Sequence, residues 1–105
     1  MTRRLIIRPD AEVDITQAAM WYEHRENGLG DEVVSEIRSA INRALATPDA
    51  YLRLRDHPRV HRVLVHRFPY RVFYLLAEDA LVVFAVVHAA RHDQSWGHRV
   101  PLNSS

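Results

Sequence analysis

The chain contains no cysteine. That excludes a disulfide framework, thiolate metal sites and cysteine nucleophiles together. It contains no lysine either, since all fourteen basic residues other than histidine are arginine. No apolar run approaches the roughly 20 residues that a membrane-spanning helix needs. Arg3-Arg4 is followed only by Leu5-Ile6-Ile7, too short a stretch for the core of a secretory signal. These absences lead us to expect a cytoplasmic protein without membrane contact. Internal repeats and low-complexity segments are missing as well.

What is present is the balance of an ordinary globular chain: 105 residues, 48% hydrophobic and 26% charged. The length suits one domain, expected over residues 1–100, with 101–105 as a frayed tail. The net charge of +1 conceals an asymmetry. Residues 1–50 carry six Arg against nine acids, a balance of −3; residues 51–105 carry eight Arg against four acids, a balance of +4, and six of the seven His. Arginine grips phosphates and carboxylates bidentately, so the second half suits a nucleic acid or an acidic protein. The simpler account is that Arg has taken the place of Lys on solvated faces.

Residues 4–8 form a short β-branched apolar run that Pro9 ends, which predicts a strand. Asp10 then offers an N-cap, and Ala11, Ile15, Ala18, Ala19 and Tyr22 recur at helical spacing, predicting a helix over 11–26. Asn27-Gly28-Leu29-Gly30 breaks it. A second helix is expected over 31–46, with Val34, Ile37, Ile41, Ala44 and Leu45 on one side. The short link between the two makes them an antiparallel hairpin. Beyond a Pro/Asp/Arg-rich stretch at 48–59, runs at 61–67, 70–77 and 80–88 are rich in Val, Phe, Tyr and Leu. Links this short join antiparallel neighbours. The expected fold is therefore α+β, in the order β-α-α-β-β-β. A helical hairpin packs on one face of a small, mainly antiparallel sheet that the first strand joins.

Register turns this into a site. A two-residue turn at Glu78-Asp79 pairs positions whose numbers sum to 157. Tyr70, Val72, Tyr74, Leu76, Leu81, Val83, Ala85 and Val87 then lie under the helices, while Arg71, Phe73, Leu75, Val82, Phe84, Val86 and His88 share the other face. A four-residue link at 66–69 adds Arg62 and Leu64 to that second face. A three-residue link would bury Arg62 beneath the helices, where a charge is costly. The second face is thus an apolar groove with a basic rim, and no remaining segment is long enough to cover it fully. Such a groove belongs to a partner.

The set Asp14-Ile15, Trp21-Tyr22, Gly28-Leu29-Gly30, Phe68-Pro69-Tyr70-Arg71-Val72-Phe73-Tyr74 and His88-Ala89-Ala90-Arg91 resembles the RelE/ParE superfamily of bacterial type II toxin–antitoxin systems. The likeness spans roughly residues 4–99 and its element order agrees with the one read above. It implies a small toxin, important in plasmid stabilisation and growth inhibition, that a cognate antitoxin with an amphipathic, acidic segment wraps and silences. A homodimer or a heterotetramer with the antitoxin would follow. ParE-like members poison DNA gyrase and are not nucleases; RelE-like members enter the ribosome and cut messenger RNA.

Cleavage of that kind needs a base at the ribose hydroxyl, charge stabilisation at the phosphate and an acid at the leaving oxygen. By the resemblance, Arg62 stands where one strand cation is expected, Leu64 where a second would lie, Arg71 after the turn and Arg91 after the last strand. Trp96-Gly97 occupies the region of an expected Tyr. Arginine is a poor proton carrier because its pKa exceeds about 12. A ribonuclease would therefore use Arg71 and Arg91 for charge and His88 or His66 for protons. Otherwise Arg62, Leu64, Phe73, Phe84, Arg71 and Arg91 form a binding groove for antitoxin or RNA. The missing cation and phenol favour a ParE-like toxin first, a ribosome-dependent endoribonuclease second, and a non-toxic binding module on the same fold third.

The remaining side chains have plainer readings. Arg71 can pair with an acid at the sheet edge, and His88 can be a hydrogen-bonded rim residue. Trp21 and Tyr22 suit hairpin packing, and Glu12, Glu23 and Glu26 a solvated helix face. His57 and His61, like His88 and His92, have the spacing of two metal ligands on a helix, but both pairs fall on strands and loops without a third ligand. No metal and no cofactor is expected.

Overall fold

The computed structural model describes residues 3–55, 57–90 and 93–100. Its elements are β1 (Arg4–Ile7), α1 (Pro9–Arg25), α2 (Leu29–Ala46), β2 (Leu52–Arg53), β3 (Val60–Leu64), β4 (Tyr70–Leu76) and β5 (Ala80–His88). Short 3₁₀ segments at Pro48–Ala50 and Asp93–Arg99 complete it. Among the described residues no helix is long and apolar enough to cross a membrane.

Pro9 takes the first position of α1, where its missing N–H costs nothing, and Arg8 is the cap. Asp10, expected as the cap, instead lies in the first turn with Glu12, where both meet the positive end of the helix. The two glycines between the helices do different work. Gly28 caps α2 in the left-handed conformation, with φ at 90°. Gly30 is buried inside α2, where a Cβ would stand 2.7 Å from the carbonyl oxygen of Ala19. The Glu23 carboxylate at the end of α1 accepts from the N–H groups of Gly28 (3.0 Å) and Gly30 (3.0 Å). The last turn of one helix thus caps the first turn of the next, and those bonds hold the Glu23 carboxyl below its ordinary range.

The sheet runs β1-β5-β4-β3-β2, with β1 parallel to β5 and the other neighbours antiparallel. The two residues of β2 form an edge strand within the Pro/Asp/Arg-rich stretch at 48–59, for which the expected order β-α-α-β-β-β held no strand. Against one face, Val33, Ile37, Ala40, Ile41 and Ala44 of α2 and Ala11 of α1 pack on Val63, Val72, Tyr74, Leu81 and Val83. The buried phenol of Tyr74 donates to the Pro48 carbonyl at 2.7 Å, and burial raises its pKa.

The expected pairing holds for Leu76↔Leu81, Leu75↔Val82 and Tyr74↔Val83, then slips by one residue, so that Phe73 faces Ala85. Phe84 is the extra residue of a β-bulge. Phe84 and Ala85 therefore both point away from the helices, Val86 turns towards them and Val87 away again. This reverses the assignment expected for Ala85, Val86, Val87 and His88.

The far face is not the open groove expected. Trp96, only 1% exposed, lies across it with ring centroids 4.9 Å from Phe73 and 5.3 Å from Phe84. His57 approaches the same indole at 5.2 Å, and Leu54, Val82 and Val100 fill its margins. One indole carries enough surface to do what the length of the remaining segment did not suggest. The tail at 101–105 lies outside the described residues.

Candidate functional site

The β3–β4 hairpin places Arg62 opposite Phe73 and Leu64 opposite Arg71, the register of a four-residue link. Val63 between them is buried under the helices, so Arg62, Leu64 and Arg71 share the far face near the hairpin turn. Leu64 is 55% exposed. Arg62 and Arg71 are half-buried and both are engaged in interactions. Two bridges to α2 hold this end of the sheet. Arg43 Nη2 donates to the Leu64 carbonyl at 2.8 Å. Arg67, in the left-handed region at φ 71°, meets Glu32 at 2.7 Å and Glu36 at 3.4 Å. The bond to Glu32 contributes most to raising its pKa. The turn is thus anchored, and His66 stands exposed upon it.

A second feature lies where β1 ends. The Arg8 N–H reaches the Val83 carbonyl at 2.9 Å, and beyond it, among the described residues, the bulged half of β5 has no strand on that side. Two side chains stand in for one. Asp14 Oδ2 accepts from the Val86 N–H at 2.9 Å and Arg99 Nη1 donates to the Phe84 carbonyl at 3.2 Å. The pair is joined at 2.7 Å, with Asp10 at 3.6 Å. The Asp14 carboxylate raises the pKa of Arg99 against the opposing effect of burial. Next to this pair opens a cleft of about 490 Å³ lined by Gln17, Trp21, Tyr70, His88 and Arg99. Trp21 packs edge-on to Tyr22 at 4.8 Å, yet it is 51% exposed and carries the Arg25 guanidinium 4.3 Å above its ring. It is therefore both hairpin packing and cleft wall.

The catalytic set proposed from sequence does not converge among the described residues. His88 meets the Tyr70 ring edge-on at 5.2 Å, and its Nδ1 accepts from the Ala90 N–H at 3.0 Å. The bulge has put it on the helix side of the sheet, whereas Arg71 points to the other. His66 stands exposed on the hairpin turn, at the end of the strand pair that carries Arg62 and Arg71. Arg91 lies outside the described residues. Phe73 and Phe84, expected to line a binding groove, are both 0% exposed beneath Trp96 and meet no partner while that indole stays in place. His57 contacts Trp96 on the far face, while His61 stacks on Tyr74 at 5.1 Å beneath the helices. The sheet separates these two, and His92 is not among the described residues.

Sequence reading missed Asp14, Arg99 and Trp96 as structural keystones. One signal was available. Asp14 stands three residues after Ala11 and four before Ala18, both buried, so an acid occupies the buried stripe of α1 and requires a partner.

A family model described as the ParE toxin of the parDE type II toxin–antitoxin system matches residues 5–93. The chain belongs to the ParE toxin family. Solved structures agree on its fold. A chromosomal ParDE system from P. aeruginosa superposes with a TM-score of 0.75 at 12% identity, covering 83% of this chain and 96% of that one. The isolated E. coli RelE toxin gives 0.63 at 18% identity, covering 91% and 94%. A RelE mutant in complex with a peptide of the antitoxin RelBc gives 0.61 at 19%, covering 97% and 98%. A search of curated proteins finds no match. This ParE-family chain is thus a type II toxin in lineage, with the RelE/ParE arrangement of two helices on a mixed sheet.

Proposed function

We propose that the chain is a cytoplasmic toxin, held by a cognate antitoxin, that inhibits DNA gyrase without cutting nucleic acid. The observation that carries the non-nucleolytic part is the bulge at Phe84. It sets His88 and Arg71 on opposite faces, so that imidazole and that cation do not meet on one phosphate. The ParE family match over residues 5–93 supports the choice of gyrase over the ribosome.

Arg62 and Arg71 on one face with exposed Leu64 favour the second reading, a ribosome-dependent endoribonuclease, because paired arginines suit a phosphate backbone. Expression of the chain in a bacterial host, with and without the antitoxin encoded beside it, tests the proposal. We expect growth arrest relieved by the antitoxin, chromosome breaks that depend on gyrase, and intact messages. Ribosome-dependent cuts in messenger RNA would replace gyrase by the second reading. Normal growth without antitoxin would leave a binding module on this fold.

A further inference from the structure

Among the described residues six large apolar side chains stand exposed, and three of them belong to α1: Val13 at 53%, Met20 at 59% and Trp21 at 51%. α2 contributes none. The core side of α1 is made by Ala11, Ile15, Ala18 and Tyr22. Val13, Gln17, Met20 and His24 follow one another at intervals of four, three and four residues, so they run along the opposite side of the helix, with Trp21 one turn from Gln17. All five are exposed. That spacing is the one that forms a seam between two helices. A helix that covers a sheet with one side and carries apolar groups on the other has a second surface to bury.

Charge decides what packs there. Asp10, 65% exposed, stands in the first turn of α1, and His24 and Arg25 in the last. An acidic segment laid along this side meets a like charge at Asp10, and a basic one meets two at the other end. A second copy laid antiparallel brings the acidic end of each helix to the basic end of the other and opposes the two helix dipoles. With Gln17 on the two-fold axis, paired positions sum to 34. Val13 then meets Trp21 of the second copy, and Asp10 meets its His24 with Arg25, which lies over Trp21, alongside. The two Gln17 amides pair with each other, and one polar contact in an apolar seam fixes its register. Glu12 turns to the groove beside β1 and Glu23 to Gly28 and Gly30, so neither faces the seam. We infer that the outer side of α1 pairs with the same surface of a second copy of this chain about a two-fold axis. Gln17 and Trp21 also wall the cleft beside Arg99, so each copy borders the other's cleft. The inference is independent of whether the target is gyrase.

Sedimentation equilibrium on the purified full chain, from about 1 μM to about 1 mM, tests the inference. One helix pair is a small interface, so the pairing is weak and depends on concentration. We expect the mass to rise from 12.2 kDa towards twice that value. Met20→Glu, at an exposed position, should raise the concentration of half-association at least tenfold with an unchanged circular dichroism spectrum. Asp10→Arg and Arg25→Glu should each weaken the pairing as well, because either one sets like charges together twice in a two-fold dimer. Mixing these two variants should restore it, since each then supplies what the other lacks. Asp10→Arg loses its contact with Arg99 whether mixed or not, so restoration reads only the contact between copies. A mass of one chain at every concentration would overturn the inference. So would a dimer that Met20→Glu leaves intact, or charge variants that associate like the native chain or that mixing does not restore.

Discussion

On the helix side of the sheet, Val33, Ile37, Ala40, Ile41 and Ala44 spread burial along the eighteen residues of α2. On the far side Trp96 covers Phe73 and Phe84, with Arg99 tied to Asp14 three residues on. The first cover is redundant, so the loss of one side chain is shared by its neighbours. The second hangs on one ring and one ion pair. The comparison teaches where the fold is tolerant and where a single residue decides whether an apolar surface is hidden.

The largest expected effect breaks the thinner cover. Trp96→Ala removes a fully buried indole, at a cost of about 3–5 kcal/mol. It should also raise hydrogen exchange selectively at Phe84–Val87 and give binding of a hydrophobic dye under native conditions. Ile37→Ala on the other side costs about 2–5 kcal/mol, but urea unfolding should remain a single transition without dye binding. Equal local exchange in the two variants would remove the contrast.

Next come the glycines that join the helices. Gly30→Ala drives a methyl group against the Ala19 carbonyl at 2.7 Å, and should cost about 1–3 kcal/mol as the helices part. Gly28→Ala meets no atom within 4 Å, so its cost, roughly 1 kcal/mol, comes only from the left-handed backbone. Thermal unfolding of both orders them. A smaller coupling, about 1 kcal/mol, is expected between Asp14→Asn and Arg99→Gln in a double-mutant cycle measured by urea unfolding.

The smallest effect is a matter of pH. The Glu23 carboxyl is held below its ordinary value of 4.5 by the N–H groups of Gly28 and Gly30. Its contribution is complete above that value and is lost as pH falls through the lower folded value. Glu23→Gln should therefore flatten the acid limb of the stability profile between about pH 5 and pH 3, leaving the neutral region nearly unchanged.

Most of the fold was legible because α1, α2 and the three long strands change period where Gly28 and the short turns fall. The Arg62–Leu64 placement was legible too, since burying Arg62 would have been costly. The bulge was not. Residues 81–87 are apolar at every position, so the sequence carries no alternation against which a one-residue change of phase could be noticed. That is why His88 was assigned to the face of Arg71. Trp96 was read as a replacement for an expected Tyr rather than as a lid, because its burial depends on contacts far away in the chain. Asp14 entered as part of a motif, although its place in the buried stripe foretold a bonded partner.

The most direct test is to add the purified chain to DNA gyrase and relaxed plasmid, alongside a translation reaction whose message ends are mapped. The account predicts loss of supercoiling at stoichiometric toxin, reversed by antitoxin, with the message intact. Supercoiling at the normal rate together with ribosome-dependent cuts would contradict it.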